Sequence, residues 1–405
     1  MTSRLDRWPR ASSLMPAEVG DRGLYETLTQ NERRVLDLIW RKGPIARAEL
    51  SDKLGLTTGS LSRITQNFVS SGIVLESIRH DGVRGNPMRP LQINPEGAMA
   101  FGVSFSHTYM EVGLINLAGE LVDSVRQNYA EARPEVIAAS ARDAISLLEE
   151  TNSVDPDRVL GVGFAVPGDF SPEHPFLIAH PYFPHLRDAN LHAIFSESMP
   201  YPVFIENDCN SAALGERVVG FGKQYTNFIS VFVCHGIGGG VILDSDLYRG
   251  VHGNAGGIHA FFPMHQARPS GHDFFDVMAR EGHPIRDFND LEVTGALELS
   301  GVRPWLSRAG AQLLEALSVV ARLFDPEAII IGGRLPPSFL DEIRAAVDTK
   351  SFCASSAAAK PAVHASGLGP KAGVVGAGAL VIYARFLDSR SATRSDNLIN
   401  GRRQS

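Results

Sequence analysis

The chain has 405 residues, of which 44% are hydrophobic and 20% charged, with 39 Gly and 24 Pro. This composition excludes a collagen-like or mostly disordered chain, and no run of about 18 apolar residues predicts a membrane span. The net charge is −7, although residues 1–100 carry 14 Lys and Arg against 11 Asp and Glu. The start lacks the apolar stretch of a signal peptide and the cysteines form no CxxC pair, so we expect a cytoplasmic protein.

The first hundred residues predict a winged helix-turn-helix. Residues 1–28 show no apolar period, and we expect a flexible arm there. Apolar spacing, turn residues and β-rich runs then predict three helices at about 31–42, 47–54 and 58–71, followed by two strands at 73–76 and 90–93. We therefore assign a DNA-binding domain to residues 29–95.

The third helix of this domain carries polar residues suited to DNA. Leu61, Ile64 and Phe68 form its apolar stripe, which leaves the opposite face for contacts outside the domain. Arg63 is suited to guanine and Gln66 to adenine in the major groove. The candidate DNA-binding residues, one of them in the loop between the strands, are Thr58, Ser60, Ser62, Arg63, Gln66 and Arg84. The alternative is a solvated helix in a protein-binding three-helix unit.

Beyond Asn94-Pro95 the pattern changes to α/β. A hairpin with alternating apolar residues covers 101–115, and a similar hairpin returns at 228–243, each with helices and parallel-type strands after it. This repeat predicts a duplicated α/β lobe. We assign the two-lobed domain to residues 96–388 and a disordered tail to 389–405.

Three features of the α/β region have both a structural and a functional interpretation. The run Gly236–Gly240 either cradles a phosphate with its backbone N–H groups or is glycine for steric reasons alone. Asp208, at the start of a helix, either caps that helix or accepts a hydroxyl proton from a polyol. Four histidines between residues 259 and 283 lack the spacing of a zinc site, so we interpret them as surface residues.

Several stretches of the chain carry the motifs of one family. They are Arg47–Thr57, Ser60–Arg63 and Arg84–Pro87 in the DNA-binding domain, and Gly161–Gly168, Glu206–Glu216, Gly236–Gly240, Asp325–Gly333 and Gly367–Ala377 beyond it. Over residues 31–385 the sequence resembles the ROK family of repressors, open reading frames and sugar kinases. The resemblance implies an actin-like, sugar-kinase-like effector domain with Asp208 at the position of the catalytic base. It also implies a ligand site that includes Gly168, Asn207, Asp208 and His259.

The chain departs from the family's kinases where those enzymes hold nucleotide phosphates. Their first phosphate hairpin reads D-x-G-G-T, whereas this chain has Ser104-Phe-Ser-His-Thr108, without the carboxylate and the glycines. In the second hairpin, Cys234 and His235 replace a Gly-Thr pair. Losing the carboxylate and crowding the pocket both oppose phosphoryl transfer, which depends on positioning and charge stabilisation. The resemblance therefore implies no enzyme and no catalytic residue, with Asp208 catalytic only if the chain is a kinase.

The family's sugar pocket is also altered. The motif A-G-E-x-G-H appears with Gly257 and Ala260 in place of Glu and His, and with His259 one place early. Tyr182 stands where an Asn is expected, and the CxCGxxGC zinc cluster is absent. No zinc or other cofactor is therefore implied.

These residues predict a transcriptional regulator, with repression as its expected action. Its partners would be a double-stranded DNA operator and a sugar or sugar derivative, with no membrane, and it would act as a homodimer or homotetramer. One alternative is an ATP-dependent sugar kinase that carries a DNA-binding domain. The other is a repressor that needs no ligand and whose pocket is vestigial.

Overall fold

The computed structural model describes residues 28–77, 89–171, 177–291, 295–349, 352 and 359–387. These residues form two compact units, which are described separately. One unit takes in the described residues of 165–180 and 207–376, and the other takes in 28–164, 181–206 and 377–387. Arg84, the tail 389–405 and all of the predicted arm except residue 28 lie outside the described residues. The predicted domain boundaries stay predictions.

The DNA-binding domain contains three helices and a two-stranded antiparallel sheet. They are α1 (Gln30–Lys42), α2 (Arg47–Leu54), α3 (Thr58–Ser70), β1 (Val74–Glu76) and β2 (Leu91–Ile93). Helix α1 begins with a capping box, in which Thr29 and Glu32 satisfy each other's backbone N–H groups. Gly55 ends α2 with a φ of 65°, a left-handed conformation that glycine adopts without strain. The winged helix-turn-helix predicted from the sequence is confirmed.

The rest of the chain alternates strands and helices. Its first part contains β3 (Met99–Phe105), β4 (Tyr109–Asn116), β5 (Leu121–Asn128), α4 (Pro134–Asn152), β6 (Val159–Val166), β7 (Gly168–Phe170), β8 (Leu177–Ala179), α5 (Pro184–Arg187), α6 (Leu191–Ser198) and β9 (Val203–Asn207). Its second part contains α7 (Asp208–Val218), β10 (Phe228–Val233), β11 (Ile237–Leu243), β12 (Asp246–Leu247), α8 (Gly271–Arg280), α9 (Val302–Phe324), β13 (Ala328–Gly333), α10 (Pro337–Val347), β14 (Ala362–Ala365) and α11 (Ala372–Ile382).

Each half of the α/β region is built on a five-stranded sheet. The first sheet has the order β5-β4-β3-β6-β9, and the second has the order β12-β11-β10-β13-β14. In both sheets an antiparallel meander comes first along the chain, and two further strands extend the sheet from the meander's first strand. The two orders are equivalent, which confirms the duplication predicted from the repeated hairpins.

Apolar periodicity explains why the helices cover these sheets. Helix α4 buries Ile137, Ala141, Ile145 and Leu148, which recur every three or four residues and so share one face. In the second sheet, β13 lies parallel to both of its neighbours, β10 and β14. Every residue of β13 is buried, as expected for a parallel strand covered on both faces. Trp305 of α9 is 1% exposed and belongs to the same core cluster as Ile329 and Ile331 of β13.

The end of the described chain contacts the DNA-binding domain inside one unit. Helix α11 continues as a π-helical turn, Tyr383–Leu387. Arg33 of α1 is buried, and its guanidinium donates to the Arg385 carbonyl at 3.2 Å. The rings of Trp40 and Phe386 lie 6.5 Å apart, and the Arg385 side chain donates to the Leu160 carbonyl of β6 at 3.1 Å. Helix α1 is therefore attached to the same turn that is anchored on the first sheet.

This C-terminal helical run has the length and composition of a membrane span. The run Gly369–Leu387 is apolar over an 18-residue window, which the sequence analysis did not predict. However, 83% of that window is buried inside the protein. The burial is that of a core helix.

Candidate functional site

Helix α3 presents a polar face to solvent. Its N-cap is Thr57, whose hydroxyl accepts a hydrogen bond from the Ser60 backbone N–H at 3.3 Å. The apolar stripe predicted from the sequence is buried in the domain. The residues proposed for DNA on this helix are all exposed, namely Thr58, Ser60, Ser62, Arg63 and Gln66. This arrangement leaves their side chains available to a groove, whereas Arg84 lies outside the described residues.

The exposed face of α3 is wider than the sequence analysis proposed. Asn67, four residues after Arg63, and Ser70, four residues after Gln66, are exposed as well. Residues four apart lie one above the other on a helix, so the spacing alone contained this signal. Asn67 is therefore a further candidate for a base contact, because an asparagine amide pairs with adenine in the major groove.

The tip of the first hairpin is filled by aromatic side chains. His107 stacks on Phe183 with 4.3 Å between ring centroids, and its Nε2 lies 3.0 Å from the Tyr182 carbonyl oxygen. Phe105 meets the same Phe183 ring edge-on at 5.7 Å. Two departures from the kinase pattern, at the hairpin and at Tyr182, therefore lie side by side although 75 residues separate them.

Asn207, and not Asp208, caps helix α7. The Asn207 side-chain oxygen accepts hydrogen bonds from the backbone N–H groups of Cys209 at 2.9 Å and Asn210 at 3.0 Å. Its amide nitrogen donates to the Gly168 carbonyl at 2.7 Å. The structural interpretation that made Asp208 the cap is therefore wrong, because the helix begins at Asp208 itself and the cap is the residue before it. Asn207 holds the helix start against β7.

Asp208 accepts from one backbone N–H group and faces two thiols. Its Oδ1 accepts from the Cys209 backbone N–H at 3.0 Å and from the Cys209 thiol at 3.4 Å. Its Oδ2 lies 3.7 Å from the Cys234 thiol. Burial raises the pKa of the Asp208 carboxyl above its ordinary value, against the opposing effects of these hydrogen bonds and of the Arg334 charge. A hydroxyl donor at this carboxylate would therefore be favourable.

The second glycine run is explained by close packing. A Cβ at Gly238 would lie 2.5 Å from the Cys209 Sγ, and one at Gly240 would lie 2.5 Å from the Ala213 Cβ. Both partners belong to α7, so the glycines let this helix approach β11 closely. The steric interpretation accounts for these two glycines, and Gly236 in the turn has open space around its Cβ position.

The remaining candidate, His259, is exposed in a 3-10 turn over Ile258–Phe261. The turn is fixed near the glycine run, because Ile258 fills the space above Gly239. In the part of the chain that the structure describes, no group of three or more His, Cys, Asp or Glu residues is arranged to hold a metal ion. Gly168, Asn207 and Asp208 are brought together, and His259 is placed on a separate loop of the same unit.

Comparisons with known proteins agree with this architecture. The ROK family model matches residues 100–268, and a winged helix-turn-helix DNA-binding model matches residues 28–74. The uncharacterized protein y4fQ of Sinorhizobium fredii is 34% identical over 378 residues, which cover 93% of this chain and 96% of that protein. The xylose repressor of Bacillus subtilis is 26% identical over 373 residues, covering 88% of this chain and 96% of the repressor.

Two solved structures show the same fold. A ROK family transcriptional regulator, described as a homolog of the E. coli MLC protein, is 24% identical with a TM-score of 0.64, over 90% of this chain and 98% of its own. A ROK family glucokinase from Streptomyces griseus is 21% identical with a TM-score of 0.55, over 70% of this chain and 99% of its own. The fold is thus common to regulators and kinases.

A winged helix-turn-helix joined to a duplicated sugar-kinase-like core defines a class of DNA-binding proteins. The chain belongs to the ROK family, as its sequence motifs predicted.

Proposed function

We propose that this protein is a transcriptional repressor of carbohydrate-related genes, which binds operator DNA through α3 and responds to a sugar or sugar derivative at Asp208. The observation that carries the proposal is the exposed polar face of α3 in a chain whose remaining residues form a sugar-kinase-like core. The likeness to the xylose repressor of Bacillus subtilis over nearly the full length supports it.

The hairpin tip argues that the core does not transfer phosphate. Phosphoryl transfer needs a nucleotide positioned against a catalytic base, with its charge stabilised. At the corresponding hairpin this chain has no carboxylate, and His107 and Phe183 stack in its place. Asp208, whose carboxylate faces two thiols, supplies a contact for a ligand hydroxyl but does not by itself position a nucleotide.

A sugar effector acts by binding one arrangement of the protein better than another. The ratio of its two affinities sets how far DNA binding can fall, and the effect is reciprocal, so operator DNA weakens sugar binding by the same factor. We expect a cytoplasmic dimer or tetramer, because two recognition helices one DNA turn apart match a palindromic operator.

The test starts with selection of bound fragments from the source genome by the purified protein. Gel shifts at fixed salt then compare the parent with Arg63→Ala, with and without a panel of sugars and sugar phosphates. Arg63→Ala should weaken specific binding by about 1–3 kcal/mol, or roughly 5- to 150-fold. Arg142→Ala is the matched control, since Arg142 is an exposed arginine on α4.

Each alternative gives a different result. If no site is enriched and binding only fades with salt, the helix-turn-helix is a nonspecific anchor and the proposal is wrong. Sugar-dependent formation of ADP from ATP would identify a kinase, favoured by the retained Asp208. If a site is enriched but no sugar raises the melting temperature or releases the DNA, the protein is a repressor with a vestigial pocket.

A further inference from the structure

Both carboxylate oxygens of Asp208 face a thiol. Cys209 Sγ lies 3.4 Å from Oδ1 and Cys234 Sγ lies 3.7 Å from Oδ2. The two cysteines come from different elements, one from the first turn of α7 and the other from the residue after β10. The chain therefore brings two S–H groups to one carboxylate from residues 25 positions apart in the sequence.

A thiol is a poor partner for a carboxylate. The S–H group is a weak donor, whereas a hydroxyl donating to an ionised carboxylate forms a charge-assisted hydrogen bond about twice as strong as a neutral one. Asp208 is thus only weakly satisfied by these thiols, and a ligand hydroxyl that takes the place of one of them improves the hydrogen bonding of the carboxylate.

The two thiols differ in how far they are enclosed. Cys209 is 8% exposed, and its sulfur occupies the space above Gly238, where a Cβ would lie 2.5 Å away. Cys234 is partly exposed, and its backbone N–H is fixed by the Gly236 carbonyl at 3.0 Å while its side chain lies at the hairpin turn. Cys234 packs against the cluster that contains Cys209, and it is the less enclosed of the two thiols, so it is the one that a ligand can reach first.

We propose that the Cys234 thiol is a placeholder for a polyol hydroxyl at Asp208, and that its weakness as a donor sets the affinity for the ligand. The inference rests on the proposed sugar response and adds a residue that determines affinity and specificity. Cys209 keeps one oxygen of the carboxylate occupied, and Cys234 yields the other to the ligand.

The chemistry of the thiols supports a role as donors and not as nucleophiles. Burial and the neighbouring Asp208 charge raise the pKa of the Cys234 thiol to about 12, and they raise that of Cys209 well above its ordinary value. The thiolate is the reactive form of cysteine, so both groups stay protonated and available to donate near neutral pH.

Two substitutions at one position test the idea. Cys234→Ser replaces the weak donor with a strong one of similar size, so the hydroxyl competes with the ligand, and affinity for the sugar should fall about tenfold. Cys234→Ala removes the donor, so affinity should stay equal to that of the parent or rise. Isothermal titration with D-xylose and N-acetylglucosamine measures both, and circular dichroism melts confirm that the variants fold.

Alkylation gives a readout that does not depend on a sugar. Iodoacetamide should modify Cys234 slowly in the parent and faster in Asp208→Asn, because removing the negative charge lowers the pKa of the thiol. Bound sugar in the parent should break the thiol contact and change the rate as well. Peptide mass spectrometry separates Cys234 from the other two cysteines.

The outcomes distinguish the two proposals. If the parent binds neither these two sugars nor any other member of the panel, the sugar response and the placeholder fail together, and the parent alone shows it. Another outcome is that the parent binds a sugar while Cys234→Ser and Cys234→Ala lower the affinity equally. In that case the cysteine only fills space, and the placeholder proposal alone is wrong. If the variants do not fold, an unchanged alkylation rate in Asp208→Asn overturns the placeholder.

Discussion

Glu216, near the end of α7, offers a quantitative test of the electrostatics of the compact unit that includes residues 207–376. The side chain is 2% exposed, and its carboxylate accepts hydrogen bonds from the Ser366 hydroxyl and, at 3.1 Å, from the Phe221 backbone N–H. Burial raises the pKa of Glu216 to about 7, and the two hydrogen bonds only partly oppose this effect. The perturbation is Glu216→Gln, which keeps the shape and an acceptor oxygen but cannot ionise.

The magnitude follows from the shift in pKa. The folded state holds its proton up to about pH 7, whereas the unfolded chain releases it near 4.5, so the folded state binds more protons between these values. Stability of the parent therefore falls as pH rises through this window and is flat above it. At about 1.4 kcal/mol per pKa unit, the loss amounts to about 3 kcal/mol, which Glu216→Gln avoids.

Thermal melts from pH 4.5 to 8.5 measure the difference. Relative to the parent, Glu216→Gln should gain stability as pH rises. At pH values above 7.5, its melting temperature should exceed that of the parent by roughly 5–10 °C. Glu315→Gln is the control, because Glu315 is exposed on α9 and should follow the parent at every pH. Parallel curves for the parent and Glu216→Gln would show that the carboxyl titrates alike in the folded and unfolded states and would refute the reasoning.

Three further substitutions test the DNA-binding domain, its attachment to the last described turn, and the packing of β6 against α11. Thr57→Ala removes the N-cap of α3 and should cost about 1 kcal/mol, seen as a lower urea midpoint for the DNA-binding domain and weaker operator binding. Arg33→Ala leaves the Arg385 carbonyl without this donor and should cost about 1–3 kcal/mol, read as faster amide exchange in α1; unchanged exchange would contradict the contact. Gly163→Val places its Cβ 1.9 Å from the Ala377 carbonyl oxygen, so we expect little soluble protein, and a normal yield would refute the close approach.

Much of the fold could be predicted from local signals. Apolar spacing and the Gly and Pro stops gave α2 its full bounds, Arg47–Leu54, and placed the neighbouring helices to within a residue or two. The repeated hairpins led to the duplicated sheets, because alternation of apolar residues depends on near neighbours only. These features need no knowledge of distant contacts.

The details of the candidate site depend on contacts that the spacing does not contain. Whether Asn207 or Asp208 caps α7 is decided by where the backbone turns helical, a shift of one residue. The stacking of His107 on Phe183 joins segments far apart in the sequence. Likewise, the need for glycine at 238 becomes clear only when Cys209 of α7 is seen above it.

The attachment of α1 to the last described turn bears on how the chain is made. Arg385 follows Arg33 by 352 residues, so a ribosome adding roughly 5–20 residues per second delivers it some tens of seconds later. The helix-turn-helix is a local structure and can form early, with the Arg33 and Trp40 side of α1 still uncovered. A chain that ends before residue 385 would therefore contain the helix-turn-helix without the contacts of Arg33 and Trp40 to this turn. Completion of this turn is therefore the step of synthesis that joins α1 to the first sheet.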